Sequence, residues 1–357
     1  MLGLVAGLVG SWAGAARAGG RNEAILADLD GDRVADKAVL VDPGGDVCAV
    51  DFYKGDGAGG YAAPVRYLNP RSSFVGAPIC PDMGVAVDLG GDGTVELVVT
   101  GFFWYDGVQV LSGFRPVAGY AARILPSWIG TADFDGDGLQ DVYLWTDEGE
   151  GFWILYDQPD GSLSQGPVYC RGVSIHSSTQ AVADFNRDGA SDVAILQANG
   201  GGEQYGCGAP LGSDGVSVFY PRDGRRQDIA LSAPQTIGAA DVSGDRVADL
   251  TVTTTAGTVR HWIGGQDLLR PAPTAVDDAA AVQRHAAVTI PVLANDAATL
   301  QAAVAIAHQP ARGSVRVNPD RTVTYVSTGR TGTWRFTYRV SEDGLSSVAA
   351  VTVTVTR

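Results

Sequence analysis

Asp133-Phe134-Asp135-Gly136-Asp137-Gly138-Leu139-Gln140-Asp141 sets carboxylates at positions one, three, five and nine of a nine-residue stretch. A carboxylate on every second residue, with glycine between, lets the backbone curl until the odd-numbered side chains converge. Such a set of hard oxygen donors suits calcium, which takes six to eight oxygens at roughly 2.3–2.6 Å. The carbonyl of Leu139, at position seven, is the expected backbone ligand. An EF-hand starts similarly but requires a bidentate Glu at position twelve and a helix on each side. Position twelve here is Leu144, and the flanks 128–132 and 142–145 are short, apolar and rich in aromatic and β-branched residues, which reads as strands. The stretch is therefore expected to be a metal-binding β-turn.

The pattern recurs. Loop one carries Asp28, Asp30, Asp32 and Asp36, and loop two carries Asp88, Gly90, Asp92 and Glu96. Loop three is the Asp133 copy, with Asp135, Asp137, Leu139 and Asp141. Loop four carries Asp184, Asn186, Asp188 and Asp192, and loop five carries Asp241, Ser243, Asp245 and Asp249. Their starts lie 60, 45, 51 and 57 residues apart, the spacing of a four-stranded propeller blade. Each loop is preceded by a short apolar strand (25–27, 85–87, 128–132, 181–183, 237–240). A second strand follows at once (37–41, 97–100, 142–145, 193–196, 250–253), and a third comes after a turn (47–53, 108–111, 152–156, 216–220, 258–262).

This repeat resembles the FG-GAP or VCBS repeat of extracellular proteins, related to the calcium-bearing blades of integrin alpha-subunit propellers. The resemblance covers residues 20–268. It implies an all-β fold, a β-propeller with calcium loops on one face, and up to about five calcium sites. Five motifs suggest five blades, although typical members have seven. The loops are not equal. Asn186 is an uncharged donor, Gly90 removes a ligand, and Ser243 supplies only a hydroxyl. Position six favours glycine, and Arg33 and Arg246 depart from that. The expected order of affinity is Asp133, Asp28, Asp184, then the other two.

The composition agrees. A 45% apolar, 18% charged chain of 357 residues with 48 glycines is globular and dense in turns. Seventeen of its 40 acidic residues lie in the five loops, and five calcium ions would offset most of the net charge of −15. That charge argues against a nucleic-acid partner, which demands a basic face. Residues 1–18, with Leu2–Val9 apolar and Ala16-Arg17-Ala18 at the end, read as a secretory signal, the alternative being a buried first strand. Cys48, Cys80, Cys170 and Cys207 contain no C-x-x-C pair, so zinc is not expected. An even count behind a signal fits two disulfides in an oxidising compartment. Of the three pairings, Cys48–Cys80 with Cys170–Cys207 is the most local and is the one expected.

Gly264 to Pro273 reads as a linker stiffened by two prolines. Beyond it, strands at 287–293, 315–318, 322–326, 333–340 and 347–356 suit a small sandwich. Pro273-Thr-Ala-Val-Asp277-Asp278, Val292-Leu-Ala-Asn295-Asp296 and Thr333-Trp-Arg-Phe336-Thr-Tyr338-Arg-Val-Ser341 resemble the bacterial Ig-like or cadherin-like domain, over residues 272–357. The acidic segment that follows Asn-Asp in that family is Ala297-Ala298-Thr299-Leu300 here, leaving Asp277, Asp278, Asp296 and Asp343 as a residual metal set.

Catalytic motifs are lacking. His176, His261, His285 and His308 lie apart, with no H-E-x-x-H, G-x-S-x-G elbow or phosphate-binding glycine loop. The expectation is a secreted, cell-surface or periplasmic, non-catalytic binding or adhesion module for an extracellular protein or glycan, with no membrane span. The alternative is a carbohydrate-binding or carbohydrate-active propeller (lectin, lyase or glycosidase) using Phe102–Tyr105, Trp145, Trp153 or Trp262 to stack on sugar.

Overall fold

The computed structural model describes residues 24–42, 47–70, 80–101, 107–113, 115–121, 126, 128–145, 152–169, 180–197, 214–265, 267–299 and 301–357. Residues 1–18, read from the sequence as a secretory signal, and Cys170, Cys207, His176 and Phe102–Tyr105 lie outside the described residues. The fold is all-β: among the described residues the one helical turn is a 3₁₀ turn at Leu89–Gly91, so no helix flanks any loop and an EF-hand is excluded.

The first four sheets are four-stranded antiparallel meanders in chain order. They are β1 (Ile25–Ala27), β2 (Asp36–Val41), β3 (Val47–Tyr53) and β4 (Val65–Pro70); β5 (Met83–Val87), β6 (Glu96–Thr100), β7 (Val108–Ser112) and β8 (Arg115–Tyr120); β9 (Trp128–Ala132), β10 (Asp141–Trp145), β11 (Phe152–Asp157) and β12 (Leu163–Tyr169); and β13 (Gln180–Ala183), β14 (Asp192–Gln197), β15 (Gly215–Tyr220) and β16 (Arg225–Ala230). A fifth sheet orders β17 (Pro234–Ala240), β18 (Asp249–Thr254), β19 (Val259–Ile263) and β20 (Arg270–Pro271). The stretch read as a linker thus contributes a strand: Pro271 pairs with Trp262 and Arg270 with Ile263. Two prolines nearby hid it, because proline is confined to edge positions and β20 is such an edge.

Alternation within the strands explains how consecutive sheets pack. Side chains of a strand point to opposite faces in turn, and on β10 Val142 and Leu144 join a core with Met83, Val98 and Val110 of the second sheet. Tyr143 and Trp145 of the same strand join Val193, Ile195 and Phe219 of the fourth. β11 repeats this, with Trp153 and Leu155 on one face and Phe152 and Ile154 on the other. Leu97 and Val99 of β6 face Leu40, Val50 and Phe52. Middle strands buried on both faces read as continuous apolar runs. Cys48 of β3 is bonded to Cys80, ahead of β5, as expected.

The described residues fall into two compact units, one within 1–184, 188–237 and 254–256, the other within 185–187, 238–253 and 257–357. The second unit contains a seven-stranded sandwich of β21 (Asp278–Gln283), β22 (Ala287–Ile290), β23 (Ala303–His308), β24 (Ser314–Val317), β25 (Val323–Val326), β26 (Gly332–Glu342) and β27 (Leu345–Thr356). Its sheets run β21-β27-β26-β23 and β22-β25-β24, with β21 parallel to β27. Two of these strands, β21 and β23, were not expected from the sequence, since alanine-rich DAAAVQ and AVAIAH have weak strand composition. In β27 Val351, Val353 and Val355 are buried beside Phe336, Tyr338 and Tyr325, while Thr354 and Thr356 are exposed.

Candidate metal centre

Every acidic loop joins the first and second strands of its sheet, so the carboxylates gather at one end of each meander. Positions four and six are left-handed in all five. Position four is Gly31, Gly91, Gly136, Arg187 or Gly244, with φ from 59° to 83°; position six is Arg33, Gly93, Gly138, Gly189 or Arg246, with φ from 69° to 94°. These two reversals curl the loop, and glycine adopts them without the Cβ clash that other residues suffer.

The first and ninth positions hold the turn together. In loop three Asp133 Oδ1 accepts the Gly136 N–H at 2.7 Å and Oδ2 accepts Gly138 N–H at 3.0 Å. Asp141, fully buried, accepts Phe134 N–H at 2.7 Å and Asp157 N–H at 2.8 Å. It therefore ties the loop to the end of the third strand. Asp36 does the same with Leu29 and Gly55, and Asp249 with Val242 and Gly264. In loop two the longer Glu96 accepts Leu89 N–H at 3.1 Å and the Ser112 hydroxyl at 2.9 Å. Fifth-position carboxylates accept a backbone N–H two residues on: Asp137 from Leu139, Asp32 from Val34, Asp92 from Thr94, Asp188 from Ala190 and Asp245 from Val247.

Among the described residues, carboxylates of Asp133, Asp135 and Asp141, and of Asp28, Asp30 and Asp36, each lie within 4.8 Å of one another. Loops two, four and five bring no such trio of acidic, histidine or cysteine side chains together among the described residues. Asn186 is buried, and Asp184 accepts Asp188 N–H at 3.2 Å and Gly189 N–H at 3.0 Å. In loop five Asp241 takes Gly244, Asp245 and Arg246 N–H, and Ser243 Oγ lies 3.5 Å from it.

Crowding shows in the acidities. Burial, then the neighbouring Asp135 and Asp133 charges, push Asp141 up to about 7 against the pull of its two backbone donors. Burial followed by Asp137 raises Asp135. A divalent cation would relieve both. The donor set fits calcium, being all oxygen and anionic: Asp133, Asp135 and Asp141, with Asp137 and the Leu139 carbonyl, are the residues that would hold it.

Four partners were invisible in the loop motif. Lys54, immediately after the third strand of the first sheet, pairs with Asp30 and with Asp32. Asp157 Oδ2 accepts the N–H of Gly90 at 2.8 Å. Arg222 donates to the Asp188 carbonyl at 2.5 Å and packs on Gly136, while Ser191 N–H donates to the Asp133 carbonyl at 2.6 Å. Each stands at least 20 residues along the chain from the residue it contacts, so no pattern within one loop could mark it.

Other candidates resolve differently. Asp343 pairs with Arg270 at 2.6 Å and Asp277 with Arg335 at 3.3 Å, while Asp296 accepts the Tyr338 hydroxyl at 2.9 Å. Of the residual set, Asp343 and Asp277 are thus drawn to arginines, whereas Asp278 and Asp296 share the Tyr338 hydroxyl, and burial followed by the Asp296 charge raises the Asp278 pKa. Trp145 and Trp153 are core residues and Trp262 is buried, so none of them is offered to a sugar. His261 and His308 bond Thr251 and Thr337 across neighbouring strands. No described helix is long and apolar enough to cross a membrane.

No curated protein sequence matches the chain. Among solved structures, a chain of the BBS1N–ARL6DN complex is 12% identical, covering 86% of this chain and 91% of that one at a TM-score of 0.33. The biofilm matrix protein Bap1 of V. cholerae is 14% identical over 94% and 58%, TM-score 0.36. A SusE-like surface-located polysaccharide-binding protein of Bacteroides thetaiotaomicron is 9% identical over 96% and 53%, TM-score 0.22. This chain spans little more than half of the last two, and none of the three scores reaches the level at which a likeness informs function. Family comparison is more specific, matching the FG-GAP-like repeat over residues 133–195, which runs from loop three through loop four, and the bacterial Ig domain over residues 270–356. Residues 133–195 of this chain are therefore an FG-GAP-like repeat, and residues 270–356 are a bacterial Ig domain.

Proposed function

We propose that the protein is a secreted, calcium-binding β-propeller joined to an Ig domain, acting outside the cell or at its surface as a non-catalytic binding or adhesion module. In this reading the five four-stranded sheets are the blades. The observation that carries it is the convergence of Asp133, Asp135 and Asp141 in the best-preserved loop of a five-fold repeat. The Cys48–Cys80 bond supports an oxidising compartment, and the net charge of −15 supports a partner other than nucleic acid.

Bound calcium supplies positive charge that offsets the clustered carboxylates and pins the turn. Asp133 and Asp141 already fix the loop backbone, so the residues act as scaffold, and the partner, an extracellular protein or glycan, binds elsewhere. Sites of extracellular modules bind at about 10⁻⁴–10⁻³ M. At about ten times that dissociation constant each site adds roughly 1.4 kcal/mol. Calorimetry with calcium and with EDTA tests the reading: a melting temperature several degrees lower in EDTA is expected, and Asp135→Asn should shrink the difference. An unchanged melting temperature sinks the calcium assignment. A glycan array separates a sugar ligand from a protein ligand.

A further inference from the structure

We infer that loop one is neutralised from within the chain: the Lys54 ammonium occupies the charge position of a divalent ion at Asp30 and Asp32, so loop one is held without metal and loop three is the calcium loop. The inference rests on the calcium reading of loop three and departs from the family pattern at loop one.

The two loops share a ligand pattern but not a neighbourhood. The ninth-position carboxylate accepts one N–H from the end of the third strand or just beyond it: Gly55 in loop one, Asp157 in loop three and Gly264 in loop five. The residue one step earlier is Lys54, Tyr156 and Ile263 respectively. Only the first is a cation. Its Nζ hydrogen-bonds Asp30 Oδ2 and lies 2.8 Å from Asp32 Oδ2. The first- and ninth-position carboxylates are engaged by backbone N–H groups, as they are in loop three. Asp28 accepts Gly31, Asp32 and Arg33 N–H at 2.8, 3.0 and 2.7 Å, and Asp36 accepts Leu29 and Gly55 N–H at 3.0 and 2.8 Å. A calcium ion would have to displace the ammonium and share the space with its charge. In loop three, among the described residues, no lysine or arginine pairs with Asp133, Asp135, Asp137 or Asp141. Both loops carry four carboxylates, so the carboxylate count alone ranks them together; the difference is that Lys54 pairs with carboxylates of loop one, whereas Arg222, the cation beside Gly136 of loop three, donates to the Asp188 carbonyl.

Isothermal titration of the 357-residue chain with calcium, compared with Lys54→Gln and Lys54→Arg, tests this. Lys54→Gln should gain one site per chain, which Asp30→Asn added to it removes, whereas Lys54→Arg, keeping the charge, should gain none. In EDTA Lys54→Gln should melt below wild type and recover on adding calcium. Lys54 is half exposed, so the substitutions are compatible with folding, and Lys54→Met keeps the aliphatic stem as a second variant. If Lys54→Gln binds the same number of ions as wild type while Asp135→Asn loses one, the inference is overturned and the calcium reading stands. A gain in Lys54→Arg equal to that in Lys54→Gln also overturns it. If wild type binds no calcium but Lys54→Gln binds one, the reading of loop three fails and the role of Lys54 stands.

Discussion

The backbone N–H of Gly90 donates to Asp157 Oδ2 at 2.8 Å, joining loop two to the end of β11 in the next sheet. Gly90 sits where the other loops place a side-chain ligand, and its φ is 77°. A Cβ there would lie 2.8 Å from the Gly161 nitrogen. The missing ligand thus reflects a close approach between two sheets, which only glycine permits. Gly90→Asp, which restores the repeat pattern, is expected to destabilise the protein by at least about 2 kcal/mol, from left-handed strain and overpacking together. Gly93→Ala, whose Cβ would meet nothing within 4 Å, should cost only about 1 kcal/mol. Urea denaturation of both variants in EDTA measures the contrast.

Arg33, Arg187 and Arg246 hold φ of 69°, 59° and 71° where the other loops use glycine. Left-handed backbone costs a non-glycine residue about 1–2 kcal/mol, partly offset by the greater freedom of glycine in the unfolded chain. Arg33→Gly, Arg187→Gly and Arg246→Gly should each stabilise by about 0.5–1 kcal/mol. A rise in denaturation midpoint at unchanged m-value is the expected readout.

Asp141 is expected to make metal-free stability depend on pH with an unusual sign. Burial raises its pKa from 3.8 to about 7, so the native state holds the proton more tightly than the unfolded chain does. Stability in EDTA should therefore fall by about 2–4 kcal/mol as pH rises from about 4 to about 7, then level off. With calcium the carboxylate form is required, and the slope over the same range should reverse. Below about pH 4 the effect of Asp51 takes over. The Arg66 guanidinium depresses its pKa, so its contribution is complete above 3.8 and is lost as pH falls further. Urea midpoints at several pH values, with EDTA and with calcium, read both arms.

Cys48 and Cys80 close a loop of 32 residues between the first two sheets. Chain-entropy arguments give such a cross-link about 3–4 kcal/mol. The double variant Cys48→Ser, Cys80→Ser should lose that much, and reduction of the wild type should match it.

Much of this was written locally. The nine-residue acidic pattern placed all five loops between first and second strands, and alternation in the Val-rich tail marked β26 and β27. The fourth strands were less legible. Arg270-Pro271 looked like linker, and β21 and β23 are built of alanine, so pairing with a neighbour, rather than propensity, makes them strands.

The sequence by itself determined the turn chemistry and the donor set, because each depends on residues within nine positions of one another, and it showed the repeat because that nine-residue pattern recurs. Tertiary structure decided which loops keep their charge uncompensated. Lys54 reaches Asp30 and Asp32 from across a hairpin, Asp157 claims Gly90 from another sheet, and Arg222 reaches the Asp188 carbonyl from 34 residues away. A carboxylate's availability to a metal depends on every donor and cation within reach, and folding brings those from parts of the chain that no local spacing connects.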